Sequence, residues 1–195
     1  MKYLKMVGLS AFAVSALIVF AGAGTASATT LEVNGTTQSS NVTISASLEK
    51  GTSALLKDSL GTTTDTCTAS TVHGTTTVFT GTTVSGPIQS LTFSGCSHTT
   101  DVLAAGSLSI DRIENTTNGT VTSSGAEVQV KSTFFGITAT CKTGAGTDIG
   151  TLTGKPTGLQ ATMDINATID CGSLGNSSWT GSYLVTSPSG LGVVG

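Results

Sequence analysis

From Met163 to Cys171 apolar and polar residues alternate without a break. Met163, Ile165, Ala167, Ile169 and Cys171 stand against Asp164, Asn166, Thr168 and Asp170. A period of two sustained over that length sends one set of side chains into a core and the other into water, which only an extended strand does. Phe135, Ile137, Ala139 and Cys141 repeat the signature. Shorter versions occur at Val128 and Val130, at Leu91 and Phe93, at Leu108 and Ile110, and at Leu184 between Ser182 and Thr186. The one stretch with leucines near helical spacing, 47–60, is interrupted by Gly51, Thr52 and Ser53 and is read as strand and loop. Gly-rich and Ser/Asn-rich turns separate the runs. The expected fold is therefore all-β, an antiparallel β-sandwich or barrel.

The N-terminus places such a fold outside the cytoplasm. Lys2 and Lys5 precede an apolar or small run from Val7 to Ala23, and Ala26-Ser27-Ala28 follows as a cleavage site. This is the three-part layout of a signal peptide over 1–28. No second long apolar stretch follows, so no integral membrane segment is expected after cleavage. The chain beyond Ala28 holds 37 threonines and 22 serines. Such a composition suits either strands and turns or a glycosylated stalk. Stalks need many prolines and this chain has three, which favours folded β-structure. Without Lys2 and Lys5, six basic residues face eleven acidic ones, and Arg112 is the single arginine. No basic patch for a nucleic acid or an acidic lipid is available.

Four cysteines in an exported chain read as two disulfides, with three connectivities open. Cys67 to Cys96 spans 29 positions and Cys141 to Cys171 spans 30. Each first cysteine follows a threonine. Ile88-Gln89-Ser90 lies between one pair and Leu159-Gln160-Ala161 between the other. This points to two similar halves, each with one disulfide, and favours Cys67–Cys96 and Cys141–Cys171. Each bridge closes a loop worth roughly 3–4 kcal/mol by chain entropy. The predicted organisation is an N-terminal arm or first strands over 29–48, then a β domain over 49–195 with halves 49–113 and 114–195.

Candidate chemistry is sparse. His73 and His98 fall in Thr-rich, turn-like segments and are read as exposed loop residues, although Asp101 follows His98 closely. No Gly-x-Ser-x-Gly elbow is present. Asp164 and Asn166 share the polar face of one strand and are read as solvated rather than as part of a calcium site. No Cys-x-x-Cys exists, so neither a metal nor another cofactor is expected. All six asparagines stand in Asn-x-Ser/Thr triplets, which the Thr/Ser content largely explains. Trp179 and Tyr183 are the candidate ligand-binding residues, since a tryptophan near a tyrosine builds many sugar-binding surfaces. The competing reading puts Trp179, Gly181 and Tyr183 on the inward face of one strand.

The first half, with Cys67, Ser70, Gly74 and then Phe93-Ser94-Gly95-Cys96, resembles secreted, uncharacterised actinobacterial proteins whose strand ends in Phe-x-Gly-Cys. The chain is also similar to the family of protein activators of alkane oxidation. The second half departs by ending in Ile169-Asp170-Cys171. The resemblance implies an extracellular or envelope β protein and brings no catalytic residues. The leading expectation is a secreted or cell-surface, non-enzymatic envelope or matrix protein, structural, adhesive or self-associating, with itself or envelope components as partners. The alternative is a secreted module that binds a glycan or a hydrophobic small molecule. Mass spectrometry of the exported protein is expected to find Thr29 at its N-terminus, and an intact Met1 in a membrane fraction would overturn the signal-peptide assignment.

Overall fold

The structure, a computed structural model, describes residues 28–195 except 132–135, 137 and 156. The expected signal peptide, apart from Ala28, lies outside the described residues, as do Phe134, Phe135 and Ile137. The chain begins with β1 (Thr29–Val33), β2 (Thr36–Thr37), β3 (Thr43–Leu48), β4 (Ala54–Lys57) and β5 (Thr63–Thr75). Next come β6 (Thr80–Gly81), β7 (Val84–Cys96), β8 (Thr99–Ala104), β9 (Ser107–Arg112) and β10 (Gly119–Ser124). The chain ends with β11 (Glu127–Lys131), β12 (Thr138–Lys142), β13 (Thr147–Thr153), β14 (Thr162–Asp170), β15 (Asn176–Ser187) and β16 (Leu191–Val194). The stretch 47–60 holds the end of β3, a turn and β4, with no helix. A short 3₁₀ turn, Gly172–Leu174, links β14 to β15.

Eight staves form a closed antiparallel barrel. Taken in order they are β3 with β4, then β5, β7, β9, β10, β13, β14 and β15. β15 returns to pair with both β3 and β4, placing Tyr183 opposite Leu48 and Trp179 opposite Leu56. β3 and β4 also both pair with β5, so together they act as one broken stave. The staves follow one another round the wall in chain order, with β6, β8 and the pair β11 and β12 inserted between successive staves. Each half contributes staves and one disulfide. The pairings are Cys67–Cys96 and Cys141–Cys171. Cys67 lies directly opposite Cys96 on β5 and β7, whereas Cys141 ties β12, outside the barrel, to the end of β14.

Alternation decides inside from outside. On β14, Met163, Ile165, Ala167 and Ile169 are buried, and Asp164, Asn166, Thr168 and Asp170 are exposed. On β9 and β10 Thr and Ser likewise take outward positions, with Thr120 opposite Asp111 and Thr122 opposite Ser109. A barrel that spans lipid carries an apolar band outside and a polar lumen. This barrel is the reverse: its outer face is hydroxyl-rich and carries carboxylates. No helix of the described residues is long and apolar enough to cross a membrane.

Two small sheets cover the ends. At one end β1 pairs with β16, β2 and β6 in a small sheet that joins the two ends of the described chain. The predicted N-terminal arm is thus divided: β1 pairs with the last strand, and β3 enters the barrel wall. At the other end β8, β11 and β12 form a three-stranded lid. Gly95 lies just before the lid, with φ of 60° and no room for a Cβ because Thr68 Oγ1 occupies that space. This gives the Phe-x-Gly-Cys segment a physical reason for its glycine.

Replacing Ile165 or Ile169 with Ala is expected to cost about 2–5 kcal/mol, from lost burial and the cavity left behind. Asn166→Ala is expected to change stability by less than about 0.5 kcal/mol, as surface positions do. Denaturant melts of the three variants check the register, because a slip of one residue would exchange the two faces.

Candidate functional site

The lid has two unlike faces. Val128 and Val130 of β11 stand beside Cys141 and Ala139 of β12 and turn toward the barrel. On the opposite face Lys131 binds Asp101 at 2.8 Å and Lys142 binds Glu127 at 3.2 Å. The underside therefore needs apolar cover, and the barrel mouth below supplies only part of it. Between them lies a chamber of about 70 Å³ that opens to solvent. That is room for a few waters or one small apolar group.

The chamber walls are apolar. Leu56, Leu91, Phe93, Ile169 and Trp179 rise from the barrel, and Val128 and Val130 close it from above. Phe93 and Trp179 come from staves that are not neighbours, and their rings meet edge to face across the mouth, with centroids 6.0 Å apart. Such a contact suits the ring quadrupoles. Trp179 is partly buried and packs against the core.

Tyr183 does not belong to this chamber. It is 1% exposed, in the middle of the barrel, and its hydroxyl donates to Ser70 Oγ at 3.0 Å. The sequence paired the two aromatics as one binding surface. The structure separates them, because Trp179, Gly181 and Tyr183 follow one inward face of β15 but stand at different depths. Burial pushes the Tyr183 phenol up to about 12, with the hydrogen bond to Ser70 acting in the opposite direction.

One functional group in the chamber wall escaped sequence reasoning. Asp65 is 3% exposed, on the same face of β5 as Cys67. Its carboxylate accepts from Thr66 N at 2.9 Å, Ser97 Oγ at 2.8 Å, His98 N at 3.1 Å and Thr100 Oγ1 at 2.6 Å. Three of these four donors lie at the root of the lid. A buried carboxylate is tolerated when its lone pairs are occupied in this way. The signal that marks it in the sequence is an aspartate two residues before a cysteine, where strand parity sends both inward. Asp65, Cys67 and Cys96 lie close enough together to suggest metal ligands. The two sulfurs are bonded to each other, however, and offer no thiolate.

The remaining candidates are dispersed. His73 sits within β5 rather than in a turn, exposed, with Nδ1 2.8 Å from Ser45 Oγ. His98 follows β7 and is half-buried rather than exposed. Asp101, its neighbour in sequence, is engaged by Lys131. Asp164 is exposed and accepts from Ser182 Oγ at 2.7 Å. Comparison with protein families, characterised proteins and solved structures finds no match for this chain.

A phenol that titrates at about 10 when unfolded and at about 12 when folded stabilises the protein fully below pH 10. That contribution is lost as pH rises through 12. Two units correspond to about 2–3 kcal/mol. Denaturant melts between pH 9 and pH 12 are expected to show the native chain losing that much more stability than Tyr183→Phe. Parallel losses in both proteins would overturn the assignment.

Proposed function

We propose that this protein is a secreted binding barrel that holds one small, predominantly apolar molecule in the chamber beneath the lid. The observation that carries the reading is the chamber itself: an apolar space between a barrel mouth and an amphipathic lid, with Trp179 and Phe93 in its wall. Eight-stranded barrels enclose an interior just wide enough to be filled by side chains or to hold one small ligand. The polar groups at the wall are engaged with one another. Asp65 is bonded to Thr100, and Thr143 Oγ1 accepts from Ala126 N at 2.9 Å. An apolar guest therefore displaces no hydrogen bond on entry.

This favours a hydrophobic molecule over a glycan. Sugar platforms present aromatic faces to solvent, whereas the Trp179 ring is turned inward against Phe93. It also favours binding over the self-associating matrix role. Strand addition needs an open edge, and closure leaves none on the eight staves. Two disulfides and a hydroxyl-rich outer face accord with an extracellular setting.

The chain contains a single tryptophan, so its fluorescence reports the chamber directly. Titration with N-phenyl-1-naphthylamine, a neutral apolar fluorophore, is expected to quench Trp179 saturably with one site. Val130→Phe fills the space from the lid side, and overpacking of about 1–3 kcal/mol corresponds to roughly 5- to 150-fold weaker binding. Absence of saturable quenching, or equal affinity in the variant, would overturn the proposal.

A further inference from the structure

A second chamber, about 80 Å³ and likewise open to solvent, lies at the opposite end of the barrel. Its wall includes Val72, Ile110, Leu152, Met163, Val185 and, from the terminal sheet, Leu191. No residue lines both chambers. Between them runs a buried layer that faces neither: Leu48, Ser70, Ile165, Ala167 and Tyr183. The order along each stave shows the partition. On β15, Trp179 lines the lid chamber, Val185 the second one, and Tyr183 stands between them. On β5 the corresponding order is Cys67, Ser70 and Val72. The hydrogen bond from Tyr183 to Ser70 thus spans the barrel at the level of the partition.

The chemistry of the second wall is more restrictive than that of the first. The lid chamber has the Asp65 carboxylate at its wall, whereas no charged side chain among the described residues lines the second. Its two threonine hydroxyls are already occupied. Thr76 Oγ1 accepts from Val42 N at 2.8 Å, and Thr75 Oγ1 donates to Gln89 Oε1 at 3.3 Å. The backbone of Ser85 exchanges hydrogen bonds with Val78. A charged guest would be stripped of water and given nothing in return. A hydrocarbon surface loses only its contact with water.

We infer that this second chamber is an independent binding site for a small neutral hydrocarbon-like molecule, so that one barrel takes two guests. The site does not depend on occupancy of the lid chamber, since the buried layer separates them. Each chamber has its own reporter. Trp179 reads the first, and Met163, the one methionine that lines either chamber, reads the second.

The test uses the full chain with its methionine methyl groups labelled with carbon-13, the Met163 signal being assigned through Met163→Leu. Cyclohexane is expected to shift the Met163 methyl resonance saturably, in the native chain and in Val130→Phe alike. Cyclohexanecarboxylate, of the same shape but charged, is expected to leave it unmoved. Val72→Phe is expected to abolish the Met163 shift while Trp179 still responds to N-phenyl-1-naphthylamine, which shows that the barrel is folded. Ala46→Val replaces it should Val72→Phe fail to fold. A silent Met163 beside a responding Trp179 would overturn the second site and leave the first standing. Loss of the Met163 shift in Val130→Phe, or an equal shift with the carboxylate, would overturn independence or neutrality. A shifting Met163 with a silent Trp179 would uphold the second site and sink the first.

Discussion

The pairing of β15 with β3 and β4 turns a meandering sheet into a closed wall, and the interior exists only because of it. The seam joins the first stave to the last, so it forms only when nearly the whole domain is in place. Its residues are also those of the core: Tyr183 meets Leu48 and Trp179 meets Leu56 across it. Closure removes the free edges that a hydroxyl-rich strand would otherwise offer to a neighbour. It also commits one face of every stave to a space of fixed width.

That space is not filled uniformly. The middle layer around Tyr183 is dense, and the phenol finds its one partner in Ser70. Toward each end the wall residues are mostly aliphatic, with Phe93 and Trp179 at the lid end, and the chain has few further aromatics to fill the volume that remains. The covers at the two ends are themselves strands. Each presents an apolar underside, Val128 and Val130 at one end and Leu191 at the other. The covering strands thus complete the chambers rather than plug them.

The lid is held by features of different character. Cys141–Cys171 joins it covalently to β14, and among the described residues its one ladder pair with the barrel is Lys142 with Asp170. At its other root the Asp65 carboxylate gathers Ser97, His98 and Thr100. A buried charge of this kind is costly unless every lone pair is met, and here the donors come from the segment it positions. The second disulfide, beside Asp65, keeps β5 and β7 together where the lid departs.

Local pattern was enough to read several of the strands and the faces of β14, while the repeat between the halves only favoured the disulfide pairing that the structure has. Period two and loop length are properties of neighbouring residues, and each follows from the sequence alone. Barrel or sandwich remained open, because both satisfy the same alternation. The choice depends on whether the first and last staves meet, a contact between distant segments. Trp179 and Tyr183 illustrate the same division. Alternation put them on one inward face, but only the closed barrel set their depths, one in a chamber wall and the other in the partition. Asp65 looked like one acidic residue in a threonine-rich strand. Its role came from donors more than thirty positions away, brought to it by the β5–β7 ladder. What side chains do along a strand is written locally; which spaces they enclose is decided by closure, which no short stretch of sequence contains.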